Sequence, residues 1–276
     1  MSAAPPPEDR FVDVQGLRIR YIERGAGPAA LLLHGASLGS SADVWTRNLD
    51  ALAAHGLRVV AFDQPGFGLS DDAPDPSVGF RTRFVPAFMD ALGLARAHLV
   101  GHSQSGRFAV SLALSQPARV ARAVVVATGS LLPPLPGAGA EAEGDDGTAA
   151  EPTPEDTRAA LEATVFRREL ITPEVVAARH RMSTGRNFRA FLARKQARGG
   201  GQGKDAVPLW QRLPEVGVPL RLIYGREDRG ECAKRARLAL ERWPRLDLHL
   251  LERCKHLVHW DAPERFAELT GGFLAD

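Results

Sequence analysis

The residue best placed to do chemistry is Ser103, which lies between a short apolar run and a helical pattern. The apolar run from Ala97 to Val100 ends at Gly101, Ser103 follows, and apolar residues then recur with a helical period. This order predicts a strand, a tight turn and a helix, with the serine at the apex of the turn. Its hydroxyl would project beyond the sheet edge, where unpaired N–H groups of the helix N-terminus favour negative charge. A helix N-cap serine is the alternative interpretation.

Small residues surround this serine on both sides. Gly101 stands two positions before it, and Ser105 and Gly106 follow it closely. Small side chains are needed here because a strand and a helix joined by so tight a turn nearly touch. If Ser105 were the nucleophile instead, both flanking glycines would be lost. Ser103 is therefore the candidate nucleophile.

A serine hydroxyl is a weak nucleophile at neutral pH, so it needs a base, and the base needs a group that orients it. In a parallel sheet, such groups meet at the carboxyl ends of the strands. Asp228 follows the predicted strand Leu220–Tyr224, and His256 lies in the loop after the predicted strand Leu246–Leu251. We therefore predict that Ser103, Asp228 and His256 are the catalytic residues.

Two other carboxylates compete with Asp228 for the role of the orienting acid. Glu227 is its direct neighbour, and Asp63 ends another predicted strand. The turn at residues 128–130 holds no carboxylate, which favours Asp228, although an aspartate here could also cap a helix or fix a turn. Asp63 is expected to fix the turn from Pro65 to Gly68.

Three further histidines could approach the same edge of the sheet. His34 is expected to hold its own loop through backbone hydrogen bonds. His102, beside the serine, could be a pocket wall or a buried polar residue, and His259 is expected to be structural. His256 lies where a base should, between the last predicted strand and the last predicted helix.

Two backbone N–H groups are predicted to stabilise an oxyanion. One belongs to Gln104, which follows the serine, and the other to Ala36, which follows His34 and Gly35. Preorganised donors of this kind contribute about 3 kcal/mol each to transition-state stabilisation.

The elements that must position these residues alternate along the chain. Continuous apolar runs such as Ala29–Leu33 indicate strands buried on both faces. Alternation with helices predicts an α/β fold, a mostly parallel, doubly wound sheet covered on both faces. The predicted strands are Phe11–Val14, Leu17–Glu23 (an antiparallel hairpin), Ala29–Leu33, Leu57–Phe62, Ala97–Gly101, Arg122–Ala127, Leu220–Tyr224 and Leu246–Leu251. The predicted helices are Trp45–His55, Ser77–Leu92, Gln104–Ser115, Cys232–Arg242 and Pro263–Leu274.

The alternation is interrupted after Gly129. The stretch from Leu131 to Thr157 is rich in Pro, Gly, Ala and acidic residues and predicts a mobile loop. Helical periodicity returns over Arg158–Arg198, and Gly199–Gly203 is a predicted flexible joint. The predicted organisation is a disordered N-terminus (1–10), a core (11–131 and 206–276) and a helical lid (132–205).

Composition limits the partners. A chain of 276 residues with 44% hydrophobic residues can form one large core, and its net charge of +2 indicates neither nucleic-acid nor membrane binding. The two cysteines lack metal-binding spacing, so free thiols in the cytoplasm are expected, with a disulfide as the alternative. No apolar run of the kind that a signal segment or a membrane span needs is seen in the sequence, so neither is expected, and no metal cluster or phosphate loop calls for a cofactor. We expect a small-molecule substrate; the oligomeric state, a homo-oligomer included, stays open.

With these residues in place, the chain resembles the α/β-hydrolase superfamily over nearly its whole length. The serine turn is similar to the G-x-S-x-G nucleophile elbow of that superfamily. The resemblance implies an α/β-hydrolase fold with a helical lid, a serine nucleophile and no cofactor. It is carried by Leu31-Leu-Leu-His-Gly35, Asp63-Gln-Pro-Gly-Phe-Gly-Leu-Ser70, Gly101-His-Ser-Gln-Ser-Gly106, Tyr224-Gly-Arg-Glu-Asp228 and His256-Leu-Val-His-Trp-Asp-Ala-Pro263.

Within the superfamily, the chain looks most like the meta-cleavage-product hydrolases. Those enzymes cleave a C–C bond in 2-hydroxy-6-oxo-dienoates that come from aromatic-ring breakdown. They carry a lid arginine that binds the substrate carboxylate, and the resemblance places Arg179, in the segment Leu170–Arg179, in that role. Arginine suits a carboxylate because it can donate two parallel hydrogen bonds. A solvated helix arginine is the alternative.

The chain departs from that family at three positions. The family usually has Asn before the nucleophile, Gly two residues after it and Gly-His-Trp at the base; this chain has His102, Ser105 and Lys255-His256-Leu257. These changes leave Ser, Asp and His in place but alter the pocket walls, so His102 and Leu257 are predicted to bind substrate. A carboxylesterase or lactonase, and a non-catalytic ligand receptor on the same fold, are the alternative functions.

Overall fold

The computed structural model describes residues 5–137, 150–199 and 207–276, and within these ranges eight strands form one sheet in the order β1-β2-β4-β3-β5-β6-β7-β8. The hairpin β1–β2 and the pair β2–β4 are antiparallel, and the other pairs are parallel. The strands are β1 (Arg10–Val14), β2 (Leu17–Arg24), β3 (Ala29–Leu33), β4 (Arg58–Phe62), β5 (Ala97–His102), β6 (Val120–Val126), β7 (Leu220–Gly225) and β8 (Asp247–Leu251). The predicted α/β sheet is confirmed.

Helices cover both faces of this sheet. The α-helices of the described residues are α1 (Leu49–Ala53), α2 (Val78–Ala91), α3 (Gln104–Ser115), α4 (Pro154–Thr164), α5 (Pro173–Arg181), α6 (Arg186–Gly199), α7 (Cys232–Arg242), α8 (Val258–Asp261) and α9 (Pro263–Ala275). The predicted bounds of α3 and α7 match the structure. None of the helices in the described ranges has the length and apolar character needed to cross a lipid bilayer.

The central strand β3 shows why the sheet is buried on both sides. All five of its residues are buried, and successive side chains point to opposite faces. Leu31 and Leu33 pack in a cluster with Phe88 of α2 and Phe108 of α3. Leu32 packs in the opposite cluster, which includes residues of α1 and α9. A continuous apolar run was therefore the correct signal for a strand between two helical layers.

One predicted helix is wrong in its extent. The stretch predicted as Trp45–His55 is a 3-10 turn at Ala42–Trp45 followed by the short helix α1. The break falls where Asn48 donates its side-chain N–H to the carbonyl of His259, 2.8 Å away. A contact this distant in sequence overrides the local helical period.

The segment between β6 and β7 is more regular than predicted at its start. Helix α4 begins at Pro154, inside the stretch predicted as a loop up to Thr157, and a capping box starts it. The Thr153 hydroxyl accepts from the Asp156 N–H at 3.1 Å, and the Asp156 carboxylate accepts from the Thr153 N–H at 2.9 Å. This signal, a threonine followed by proline and an acid, was present in the sequence.

The predicted helical stretch Arg158–Arg198 is divided into α4, α5 and α6, which together we call the helical segment (residues 154–199). After the break between α4 and α5, Thr172 caps the N-terminus of α5, and its hydroxyl accepts from the Val175 N–H. Residues 1–4 of the predicted disordered terminus, 138–149 of the predicted loop and 200–206, which include most of the predicted joint, lie outside the described residues. At the other end, β1 begins at Arg10, one residue earlier than predicted.

Candidate active site

The turn between β5 and α3 holds Ser103 in an unusual backbone conformation, with φ 54° and ψ −127°. A non-glycine residue adopts a positive φ only where its surroundings hold it there. The Ser103 N–H donates to the carbonyl of Val126 at 2.8 Å, and the Thr128 hydroxyl donates to the carbonyl of Ser103 at 2.6 Å. Gly101 is required because a Cβ there would lie 2.3 Å from the carbonyl oxygen of Ser105. Strand β6 and the start of α3 thus fix the turn.

The structure brings Ser103, His256 and Asp228 together, although they come from three separate loops. His256 Nε2 lies 3.0 Å from Ser103 Oγ, and His256 Nδ1 lies 2.9 Å from Asp228 Oδ2. Because the carboxylate can only accept, Nδ1 carries the proton and Nε2 faces the hydroxyl with its lone pair. This arrangement can remove the serine proton as the oxygen attacks a carbonyl.

The two competing carboxylates have other partners. Glu227 accepts a hydrogen bond from the Cys254 N–H at 2.9 Å, so it supports the loop that carries His256. Asp63 is fully buried and accepts from the N–H groups of Ala42 at 2.6 Å and Leu69 at 2.8 Å. The carboxylate of Asp63 thus fixes the turn after β4, as predicted.

The loop of residues 34–36, which we call the oxyanion loop, lies directly against Ser103. His34 Nε2 accepts from the Gln64 N–H at 3.0 Å, so Nδ1 carries the proton and donates to the carbonyl of Gly35 at 2.7 Å. Burial lowers the pKa of His34 to about 3, so the ring is neutral. A Cβ on Gly35 would lie only 3.1 Å from the Cβ of Ser103. His34 holds this loop, as predicted.

The two predicted oxyanion donors belong to two segments that adjoin the serine. Ala36 ends the oxyanion loop, and Gln104 is the first residue of α3. Both residues are buried. The Gln104 side chain faces away to protein groups, with its Oε1 accepting from Arg81 Nη2 at 2.6 Å. Their backbone N–H groups as oxyanion donors stay a prediction.

His102 and Leu257, the predicted pocket walls, are both buried. His102 Nε2 lies 3.1 Å from the carbonyl oxygen of His256, to which it can donate. Burial and the neighbouring His256 and His259 rings lower the pKa of His102 far below its usual value, so it is neutral. Leu257 packs in the apolar cluster that includes residues of α4, and its N–H donates to the carbonyl of Thr164 at 3.0 Å. Both residues support the loop that carries His256.

Sequence reasoning missed Asp261, which connects that loop to the helical segment. Its carboxylate accepts from the N–H groups of Phe166 at 2.9 Å, Arg167 at 3.0 Å and Lys255 at 2.9 Å. One side chain thus ties the end of α4 to the residue before His256. An acid five residues after the histidine was visible in the sequence, but two of its three donors, those of Phe166 and Arg167, are about 95 residues away, and no local pattern indicates them.

His259 is structural, and its ring offers a pH test. It is fully buried, with its ring centroid 4.3 Å from that of Trp45, and burial, reinforced by His256, lowers its pKa to about 3. The unfolded chain has a histidine pKa of about 6.5, so between these values unfolding takes up a proton. We expect His259→Phe to reduce the fall in the free energy of unfolding on acidification by about 1.4 kcal/mol per pH unit between pH 6 and 4.

Urea unfolding of the wild type and His259→Phe at closely spaced pH values measures this difference. Comparing the two proteins at each pH cancels the contributions of the titrating groups that do not interact with the His259 ring. Parallel curves over this pH range would show that the His259 ring is not held neutral, and would contradict the prediction.

The side chain of Arg179 on α5 extends from the helical segment to the loop that follows β3. A Cβ on Gly39 would lie 2.9 Å from Arg179 Nε, and Arg179 Nη2 lies 3.5 Å from the hydroxyl of Ser40. Burial lowers the pKa of this guanidinium to about 10, so it stays charged at neutral pH. Its charge in turn lowers the pKa values of His34 and His102.

No carboxylate in the described part of the chain forms an ion pair with Arg179. A half-buried cation without a counter-ion is costly, and the cost is recovered when an anion binds. Arg179 is therefore chemically suited to hold an anionic group of a ligand. Across the described ranges, no cluster of three or more His, Cys, Asp and Glu residues is arranged to hold a metal ion.

A family model described as the alpha/beta hydrolase family matches residues 30–269. A 2-hydroxy-6-oxononadienedioate/2-hydroxy-6-oxononatrienedioate hydrolase of Burkholderia vietnamiensis is 33% identical over 270 residues, which cover 94% of this chain and 91% of the relative. A 2-hydroxy-6-oxo-6-phenylhexa-2,4-dienoate hydrolase of Burkholderia cepacia is 31% identical over 277 residues, covering 95% and 93%.

A solved structure has the same fold over nearly its whole length. It is a meta-cleavage product hydrolase of Pseudomonas fluorescens IP01, with a TM-score of 0.76 and 25% sequence identity, and the match covers 96% of each chain. The similarity in sequence and the similarity in structure thus point to the same group of proteins.

Proposed function

The chain belongs to the alpha/beta hydrolase family, and we propose that it is a serine-dependent hydrolase that cleaves the C–C bond of a 2-hydroxy-6-oxo-dienoate. The observation that carries this proposal is that a hydrogen-bonded serine and an arginine without a carboxylate partner lie on the two sides of the oxyanion loop. The hydroxyl of Ser103 is hydrogen-bonded to His256, and the guanidinium of Arg179, without a carboxylate partner in the described chain, lies beyond the oxyanion loop. The curated relatives that are named as hydrolases of such dienoates support it.

In this proposal Ser103, His256 and Asp228 form a catalytic triad. Asp228 keeps the His256 ring in the orientation and tautomer in which Nε2 faces the hydroxyl. His256 takes a proton from Ser103, or from a water molecule in the same place, as the oxygen adds to the carbonyl at C6 of the substrate. The backbone N–H groups of Ala36 and Gln104 stabilise the oxyanion that forms there.

The C–C bond can break only after a proton has been placed on carbon. The 2-hydroxy group gives up its proton and C5 gains one, which turns the dienol into a 2,6-dioxo form. Oxygen then adds to C6, the C5–C6 bond breaks, and its electron pair moves into the conjugated 2-oxo system as a dienolate. When that oxygen is the one of Ser103, water then hydrolyses the acyl-enzyme and restores the serine. His256 is the base within reach of the reacting oxygen, so we assign it the proton transfers at the site.

Arg179 binds the C1 carboxylate in this scheme, and the helical segment acts as a lid that carries it. The carboxylate would supply the counter-charge that the described chain lacks, through a bidentate contact. Asp261 holds the lid and the His256 loop in register. Ester and lactone hydrolysis would use the same triad and oxyanion donors, but would not need this carboxylate.

Turnover of two substrate classes by the purified protein tests the proposal. We expect the yellow chromophore of a 2-hydroxy-6-oxo-6-phenyl-dienoate to be bleached with a kcat/KM at least about 100-fold above that for p-nitrophenyl butyrate, because only the dienoate presents a carboxylate to Arg179. The reverse preference would indicate an esterase. A protein that turns over neither and does not react with a fluorophosphonate probe would be a receptor.

A further inference from the structure

The oxyanion loop is held by two buried polar side chains to which no role has been given. We infer that Ser105 and Gln64 are positioning residues that hold the carbonyl of His34, and through it the Ala36 N–H, in the geometry needed to stabilise an oxyanion. The inference rests on the proposed function, since it requires that Ala36 is an oxyanion donor. The side chains of Ser105 and Gln64 are each about 1% exposed, so they act inside the protein.

Two hydrogen bonds converge on the backbone carbonyl of His34, and a third joins the two side chains that donate them. The Ser105 hydroxyl donates to the carbonyl oxygen of His34 at 2.6 Å, and Gln64 Nε2 donates to the same oxygen at 2.7 Å. Gln64 Nε2 also lies 3.0 Å from Ser105 Oγ, which can accept from it. Ser105 therefore uses its single proton on the loop and is itself held by Gln64.

The imidazole ring of His34 is also held by Gln64. The Gln64 N–H donates to His34 Nε2, so the ring and the carbonyl of His34 are both bound to Gln64. A peptide unit is planar, so fixing the His34 carbonyl also fixes the direction of the Gly35 nitrogen. The Ala36 N–H lies in the next peptide plane, together with the Gly35 carbonyl, which accepts from Nδ1 of the His34 ring at 2.7 Å. Gly35 has no side chain that could stop the loop from rotating, so these contacts must hold it.

The geometry makes this a matter of catalysis as well as stability. An oxyanion donor must lie about 2.7–3.1 Å from where the charge develops, and it has little effect when misplaced. Ser105 stands where the G-x-S-x-G pattern has glycine, a residue that cannot make this bond. The chain has thus replaced a glycine of the nucleophile turn by a hydroxyl bound to the facing loop.

The test compares Ser105→Ala and Ser105→Gly with the wild type in the full chain. We expect kcat for p-nitrophenyl butyrate to fall about tenfold with KM nearly unchanged, since the loop contacts the transition state more than the ground state. The inhibition constant of phenylboronic acid, which forms a tetrahedral adduct on a serine, should rise by a similar factor. Ser115→Ala, an exposed hydroxyl on the same helix, is the matched control and should change neither value.

A second variant separates positioning from a general loss of structure. Gln64→Met should have the same effect as Ser105→Ala, and the double variant should lose much less than the product of the two, because both act on the His34 carbonyl. A merely structural defect would lower the fraction of protein that reacts with a fluorophosphonate. The inhibition constant of phenylboronic acid for the protein that remains active would then be unchanged. This result for both single variants would overturn the inference.

The two proposals fail in different ways. If the wild type hydrolyses the ester and Ser105→Ala has wild-type kcat and boronic acid affinity, the inference is wrong and the proposed function stands. If the wild type shows no hydrolysis that depends on Ser103, both are wrong. If Ser105→Ala does not fold, the same measurements on Gln64→Met decide the question.

Discussion

Replacing Ser103 by alanine is expected to reduce kcat/KM for the dienoate by about 10⁴-fold or more. The reason is that removal of the nucleophile of a Ser-His-Asp triad leaves only the contribution of binding and of the oxyanion donors. The substitution removes one oxygen, and alanine can keep the backbone contacts of the turn with Val126 and Thr128. The variant should therefore fold and bind substrate while failing to turn it over.

Single-turnover kinetics on the dienoate chromophore, with wild type and variant at matched concentration, measure this effect. Ser115→Ala on the same helix is the control and should retain full activity. A fluorophosphonate probe should label the wild type and leave Ser103→Ala unlabelled. Residual turnover within tenfold of the wild type would contradict a serine nucleophile and favour direct attack by water activated by His256.

Replacing Arg179 by alanine is expected to reduce kcat/KM for the dienoate by about 100-fold and to leave hydrolysis of p-nitrophenyl butyrate within about twofold. Loss of one partner of a buried charge pair costs a few kcal/mol, because the other charge is left without compensation. Here that other charge is the carboxylate of the bound substrate. An ester without a carboxylate makes no such contact, so its hydrolysis does not depend on Arg179.

Arg181 provides the matched control for this prediction. It lies on the same helix two residues later and is exposed, so Arg181→Ala should change neither activity. Arg179→Lys should recover part of the dienoate activity, since lysine keeps the charge and loses the bidentate contact. Equal losses for both substrates in Arg179→Ala would mean that Arg179 supports the fold of the site, and the assignment of the carboxylate would be wrong.

The sequence was sufficient for the parts of this protein that depend on local patterns. The apolar run of β3 predicted a strand buried on both faces, and the strand–turn–helix at Ser103 predicted the position of the serine at the sheet edge. Parallel strands bring their carboxyl ends to one edge, so Asp228 and His256 could be placed beside the serine from the topology alone. The structure puts all three within hydrogen-bonding distance.

Local patterns gave the wrong extent for a helix where a contact with a distant part of the chain determines where the helix begins. The stretch from Trp45 onward has a helical period, but Asn48 is bound to a carbonyl of residue 259, and the helix is short. The chain did contain the capping box of α4, and its threonine and aspartate were a readable signal.

The supports of the site could be found only in the tertiary structure. His102 was expected to be a pocket wall or a buried polar residue, and only the tertiary structure shows that its ring lies against the carbonyl of His256. In the sequence Ser105 is only a departure from a glycine, and no pattern distinguishes Asp261, yet each binds backbone groups from distant parts of the chain. Sequence periodicity reports which face of an element is buried, whereas a hydrogen bond depends on which atoms meet there. That is decided only when the whole chain has folded, because the donor and the acceptor belong to elements that no local pattern connects.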